Sequence, residues 1–119
     1  MGLDIYFYEV DEKDYKRNDD DGTITVLSPE SVRTLSYYRE WYALSTFISE
    51  IWYTDTYGYL DSDEYNNAYV LLVPSDIDSI EEFARNYGNI DLRIELLATV
   101  GILRAAINNG KHILYNNDW

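Results

Sequence analysis

Apolar and polar positions alternate at the start of the chain, which is the pattern of a β-strand with one buried face. In residues 3–10, one face would carry Leu3, Ile5 and Phe7. A continuous apolar run that ends at Pro74 predicts a further strand. The strands predicted in this way are residues 3–10, 68–73 and 112–115, with a short strand or extended segment at 23–27.

Three segments have the spacing of apolar residues that is typical of helices, and they are residues 28–53, 76–87 and 90–108. The first would begin at Ser28, because Ser can cap a helix and the following Pro29 and Glu30 suit its first turn. We expect its broad apolar face to form the centre of the core. That face would include Leu35, Tyr38, Trp41, Leu44, Ile48, Ile51 and Trp52.

Strands near both ends with helices between them predict an α+β fold. We expect a small three- or four-stranded, mainly antiparallel sheet with about three helices packed on one face. The length of 119 residues fits one domain over residues 1–119, and 46 % hydrophobic residues suffice for a packed core. Residues 54–67 are polar and predict an exposed loop.

The net charge of −13 favours one class of partner and disfavours another. A strongly acidic surface repels nucleic-acid phosphates and anionic membranes, whereas it attracts basic proteins. We therefore expect a basic protein partner, no direct binding of nucleic acid and no membrane association. No apolar run approaches the ~20 residues of a membrane span, and no signal peptide is visible at the start. These observations favour a cytoplasmic location.

Few residues offer catalytic chemistry. The chain has no Cys and a single His, His112, which no sequence motif pairs with a nucleophile. The acidic run that ends at Gly22 fails as a calcium loop, because Arg17 and Ser28 would occupy ligand positions. We predict no catalytic residue, no metal and no cofactor. The alternative is a small enzyme or ligand- or metal-binding domain that uses carboxylates such as Asp61 or Asp118 with His112.

The strongest pattern is a charge asymmetry in the middle of the chain. Between Arg39 and Arg85 there is no Lys or Arg but there are ten acidic residues, with tyrosines among them. Such carboxylates can imitate a phosphate array, and Tyr supplies rigid contact area. The residues predicted to bind a partner are Asp55, Tyr57, Tyr59, Asp61, Asp63, Glu64, Tyr65, Asp76 and Asp78. The alternative interpretation is a highly soluble surface with half-buried tyrosines.

Three short stretches carry a resemblance to known proteins. Residues 1–6, Met-Gly-Leu-Asp-Ile-Tyr, resemble the start of a group of small uncharacterised phage and prophage proteins. Residues 37–41, Tyr-Tyr-Arg-Glu-Trp, and the closing residues 115–119 are also similar to that group. Where the group carries a His a few residues on, this chain has Ser45 and Phe47. The resemblance implies a phage context, in which small acidic proteins often inhibit host machinery. The expected location is then the cytoplasm of an infected bacterial host.

These observations lead to a functional hypothesis. The protein would be a non-enzymatic, phage-type inhibitor of a host nucleic-acid-binding defence complex, such as a CRISPR effector. Its acidic, Tyr-rich surface would mimic nucleic acid, as in anti-CRISPR proteins. The sequence leaves open a homo-oligomeric structural protein, because exposed tyrosines and a sheet edge can mediate self-association.

Overall fold

A six-stranded antiparallel sheet forms the centre of the protein. The structure is a computed structural model that describes residues 2–58 and 62–119. Its strands are β1 (Asp4–Val10), β2 (Tyr15–Arg17), β3 (Ile24–Val26), β4 (Arg33–Arg39), β5 (Tyr69–Leu72) and β6 (His112–Asp118). Their order across the sheet is β2-β3-β5-β6-β1-β4. The first and last strands are therefore neighbours near the middle of the sheet.

Four helices accompany the sheet within the described residues: α1 (Tyr42–Asp55), α2 (Ser62–Tyr65), α3 (Pro74–Arg85) and α4 (Ile90–Asn108). Three of them pack on one face of the sheet and bury apolar side chains such as Ile48, Ile80 and Leu103. On the sheet side, Ile5 and Phe7 are fully buried, as the alternation predicts. The α+β class and the antiparallel sheet are confirmed, whereas the expected three or four strands and three helices are too few.

The prediction of one helix over residues 28–53 is wrong for its first half. Residues 29–31 form a single 3₁₀ turn, and residues 33–39 form β4 at the edge of the sheet. Residues 33–39 are extended because they pair with β1. In this pairing Tyr38 lies opposite Ile5, and the Tyr38 ring is buried in the core. Tertiary contacts here outweigh the local helix signals. Glu40, with φ of 58°, lies between the strand and α1, which begins at Tyr42.

The predicted loop over residues 54–67 is partly helical, because α1 continues to Asp55 and α2 follows at Ser62. The two later helices are confirmed with small shifts in their bounds. Helix α3 begins at Pro74, where the Asp76 carboxylate accepts a hydrogen bond of 3.0 Å from the Val73 backbone N–H. This cap satisfies a backbone donor that the first turn of a helix otherwise leaves unpaired.

Buried hydrogen bonds link the last strand to the helices. The amide oxygen of Asn117 accepts bonds from the hydroxyls of Ser45 in α1 and Tyr115 in β6, at 2.8 and 2.9 Å. The amide nitrogen of Asn117 donates to the backbone carbonyl of Tyr65, at 2.9 Å. Because Asn117 is fully buried, these bonds fix the end of α2 against α1 and β6.

Candidate partner-binding surface

Three acidic side chains from the middle of the chain line one groove between α1 and α3. Glu50 and Asp55 come from α1, and Asp76 comes from α3. The groove has a volume of about 360 Å³. Its remaining lining combines apolar and hydroxyl side chains, which are Phe47, Ile51, Thr54 and Ser79. We call this feature the acidic groove.

Two carboxylates of the acidic groove, those of Asp55 and Asp76, are partly desolvated, whereas Glu50 is exposed. Burial raises the pKa of Asp55, and the nearby Asp76 raises it further, while Arg17 acts in the opposite direction. Burial also raises the pKa of Asp76, against the effect of the hydrogen bond from the Val73 backbone. Within residues 2–58 and 62–119, Glu50, Asp55 and Asp76 form no salt bridge. The groove therefore holds three acidic side chains outside any salt bridge of the described residues, with Arg17 offsetting part of the charge of Asp55.

The β2–β3 hairpin fixes the end of α1 that carries Asp55. The Arg17 guanidinium donates a hydrogen bond of 2.8 Å to the Asp55 backbone carbonyl. Gly22, with φ of 73°, approaches the same carbonyl so closely that an added Cβ would lie 2.0 Å from it. Only glycine fits such a conformation and such a contact without strain. The short hairpin that the sequence did not fully predict is thus a support for the acidic groove.

Exposed aromatic side chains stand near these acids. Tyr53 lies three residues after Glu50, so the two occupy neighbouring positions on α1. Tyr53 and Tyr57 are 55 % and 54 % exposed, which leaves more than half of each side chain accessible to a partner. The Arg17 guanidinium also lies 5.9 Å from the centre of the Tyr57 ring.

A second depression lies beside α1, on the side away from the acidic groove. It has a volume of about 320 Å³ and is lined by Tyr42, Asp63 and Trp119 among others. Tyr42 and Trp119 are exposed, and Asp63 and Glu64 are exposed in α2. Acidic and aromatic groups therefore flank α1 on both sides. We call the acidic groove together with this depression the α1 surface.

The structure separates some of the residues that the sequence groups together. Asp78 faces away from the acidic groove and forms a 3.0 Å salt bridge with Arg104 of α4. Tyr65 is 5 % exposed and donates a hydrogen bond to the Ser45 backbone carbonyl, so it belongs to the core and offers no exposed contact. Tyr59 and Asp61 lie outside the described residues.

Sequence reasoning missed several residues of the α1 surface. Glu50 and Tyr53 belong to the acidic stretch, but only the register of α1 shows that Glu50 lines the groove and that Tyr53 lies beside it. Tyr42 and Trp119 are distant in sequence and meet beside α1 only because β6 ends there. The helical spacing of Glu50 and Tyr53 was the one signal available in the sequence.

The sheet face opposite the helices carries a row of tyrosines. The Tyr6 ring contacts Tyr37 and Tyr8, with centroids 5.1 and 5.7 Å apart, and Tyr8 contacts Tyr69 at 6.1 Å. Burial, with the charges of Tyr69 and Tyr6, raises the pKa of Tyr8 to about 12. The row is thus a packed cluster of aromatic side chains that supports the sheet.

The alternative catalytic residue, His112, contacts Tyr15. Its Nδ1 lies 2.5 Å from the Tyr15 hydroxyl, at the wall of an apolar cavity of about 260 Å³. The structure describes no group of three His, Asp or Glu side chains that could hold a metal ion over residues 2–58 and 62–119. Over the same residues, no helix has the length and apolar character needed to cross a membrane.

Comparison of the chain with protein-family models, with curated proteins and with solved structures gave no match.

Proposed function

We propose that the protein is a non-enzymatic interaction protein that binds a basic, nucleic-acid-binding host protein through the α1 surface. One observation carries this proposal. Glu50, Asp55 and Asp76 converge on one groove, where Asp55 and Asp76 are partly desolvated and none of the three has a salt bridge among the described residues. Unpaired carboxylates in a concave surface favour a cationic partner on electrostatic grounds.

A basic side chain in the acidic groove would relieve an unfavourable arrangement. In the free protein, burial raises the pKa of both Asp55 and Asp76, and the charge of Asp76 raises the pKa of Asp55 further. A Lys or Arg of the partner would stabilise the ionised carboxylates of Asp55 and Asp76. It would donate to these oxygens the hydrogen bonds that it otherwise donates to phosphate oxygens. This is the physical sense in which the groove would mimic nucleic acid.

The exposed tyrosines would supply contact area around the charged groove. Tyr and Trp are enriched at the energetically important positions of interfaces, because they bury much area with few rotatable bonds. Tyr42, Tyr53, Tyr57 and Trp119 are between 42 % and 58 % exposed, so each retains area that a partner could bury. Together with the resemblance to phage and prophage proteins, these features support an inhibitor of a host defence complex, for example a CRISPR effector.

The test uses two variants with equal changes of charge. In the groove variant, Glu50→Gln, Asp55→Asn and Asp76→Asn remove three charges with little change of shape. The control variant removes three exposed charges elsewhere, by Glu12→Gln, Asp19→Asn and Asp20→Asn. Each protein is immobilised and exposed to a bacterial lysate, and the retained proteins are identified and eluted with salt.

We expect the unmodified protein and the control to retain a basic nucleic-acid-binding protein that salt releases. We expect the groove variant to retain it more than about tenfold less, because close charge pairs dominate such interfaces. Equal retention by the groove variant and the control would contradict the proposal, since net charge alone would then explain binding. Retention that salt leaves unchanged would contradict it as well.

A further inference from the structure

Helix α4 has two apolar faces, and only one of them packs on the sheet. Leu96, Val100 and Leu103 are buried in the core. On the opposite face, Ile90 and Ile94 are each 60 % exposed and Ile102 is 45 % exposed, although large β-branched residues are usually buried. A helix that is apolar on two faces indicates a second packing partner.

Small residues lie between the exposed isoleucines. Ala98, Gly101 and Ala105 are exposed, and an added Cβ at Gly101 would meet no atom within 4 Å. Ile90, Ile94, Leu97, Gly101 and Ala105 follow one another at intervals of three or four residues, which places them in one stripe along the helix. Such a stripe lets a second helix approach closely, with isoleucines packing over small residues.

The charges beside this stripe identify the partner. With 100° per residue, Asp91 and Glu95 lie along one edge of the stripe, whereas Arg93 and Arg104 lie along the other. The charges of α4 therefore sum to zero, in a protein whose net charge is −13. Arg104 is already paired with Asp78 and Glu81 of α3, so Arg93 is the base of that edge that Asp91 of a second copy can meet.

The same charges select an orientation. If a two-fold axis runs parallel to α4, the acidic edge of one copy faces the basic edge of the other, and Asp91 lies near Arg93 of the second copy. An antiparallel pair would instead bring like edges together, with the edge that carries Asp91 and Glu95 facing the same acidic edge of the second copy. Opposite charges at such flanking positions set the orientation of paired helices.

We propose that the exposed face of α4 is a homodimer interface, in which two copies pack α4 against α4 in parallel around a two-fold axis. The interface is isologous, so each residue pair occurs twice. It lies on a different element from the α1 surface and does not depend on the proposed function. Each dimer would present two α1 surfaces to its partners.

Light scattering and sedimentation of the whole chain, from micromolar to millimolar concentration, test the interface. We expect a dimer whose fraction rises with concentration. We expect Ile94→Glu to abolish the dimer, whereas Leu27→Glu, at a side chain that is 56 % exposed outside α4, should leave it intact. A monomer at every concentration would overturn the proposal.

Single cysteines test the orientation, because the chain has none of its own. In a parallel pair, residues 94 and 101 each face their own copies, so Ile94→Cys and Gly101→Cys should both form intermolecular disulfides under mild oxidation. Glu82→Cys, exposed on α3, is the control for random collision. Disulfide formation no faster than in the Glu82→Cys control would overturn the parallel arrangement, even if a dimer is present. Circular dichroism of the reduced variants shows that they are folded.

Discussion

The hydroxyl of Ser45 donates a hydrogen bond of 2.8 Å to the side-chain oxygen of Asn117, which joins α1 to the last strand. The same oxygen accepts from Tyr115, and the Asn117 amide donates to the Tyr65 carbonyl. One buried amide thus holds together the helix, strand and short helix that form the second depression of the α1 surface. The geometry of that surface depends on a residue that no partner can touch.

Replacing this amide should be strongly destabilising. We expect Asn117→Ala to lower the free energy of unfolding by about 3 kcal/mol, because it leaves buried hydroxyl and carbonyl groups without partners. Urea denaturation measures the change, and Asn108→Ala at the exposed end of α4 is the control, with an expected effect within about 0.5 kcal/mol. A loss of less than about 1 kcal/mol in Asn117→Ala would mean that the network contributes little.

Two glycines with positive φ separate the effects of backbone conformation and of steric contact. Gly22 has φ of 73° and an added Cβ would lie 2.0 Å from the Asp55 carbonyl, whereas at Gly110, with φ of 81°, it would meet nothing within 4 Å. We expect Gly110→Ala to reduce stability by about 1–2 kcal/mol through conformation alone. Gly22→Ala should reduce it by about 3 kcal/mol or more, because the hairpin must also move away from α1.

Thermal and urea unfolding of both glycine variants measure this difference. Because the hairpin supports Asp55, Gly22→Ala should also weaken partner binding under conditions in which the variant is still folded, and Gly110→Ala should not. Equal stability losses in the two variants would show that the hairpin and α1 are not in close contact.

Asp55 should make the folded protein less stable at neutral pH. Burial and the charge of Asp76 raise its pKa in the folded protein, so the folded state binds the proton more tightly than the unfolded state does. The free energy of unfolding therefore falls as the pH rises from the ordinary pKa of 3.8 through the raised value, and it stays lower above that value. Replacement by the uncharged Asn should relieve this effect.

We expect Asp55→Asn to raise the free energy of unfolding at pH 7 by about 0.5 kcal/mol, a small effect because water screens this half-buried group. The gain should disappear below about pH 3, where the carboxyl group is protonated in both states. Urea denaturation at several pH values measures it, with Asp63→Asn as an exposed control. A gain that is the same at every pH would exclude ionisation as its cause. A gain in stability with a loss of partner binding would be typical of a binding residue.

The sequence predicts those elements whose signals are local. The alternation at Leu3, Ile5 and Phe7 identifies β1, and apolar runs between Pro74 and Gly110 identify the two long later helices. The helix prediction for residues 33–39 is wrong because these residues pair with β1, which is distant in sequence, in spite of their helix-like spacing. The strands β2 and β3, of three residues each, are too short for the pattern to decide.

The candidate surface could be predicted only in part. The ten acids between residues 40 and 84 can be read from the sequence. Which of them share a surface depends on the direction in which each position of α1 and α3 points. Asp55 and Asp76 reach one groove, whereas Asp78 is two residues further along α3 and turns toward Arg104. Tyr65 is indistinguishable in sequence from the exposed tyrosines, and only its contacts with Ser45 and Tyr115 place it in the core.

The position of β6 between β5 and β1 has a consequence for synthesis on the ribosome. Among the described residues, the two parts of the sheet, β2-β3-β5 and β1-β4, are joined by hydrogen-bonded strands only through residues 112–118. A nascent chain therefore cannot close its sheet until these residues leave the exit tunnel. Until then it exposes the apolar faces of β1 and β5, and it depends on chaperones or on rapid completion to avoid aggregation.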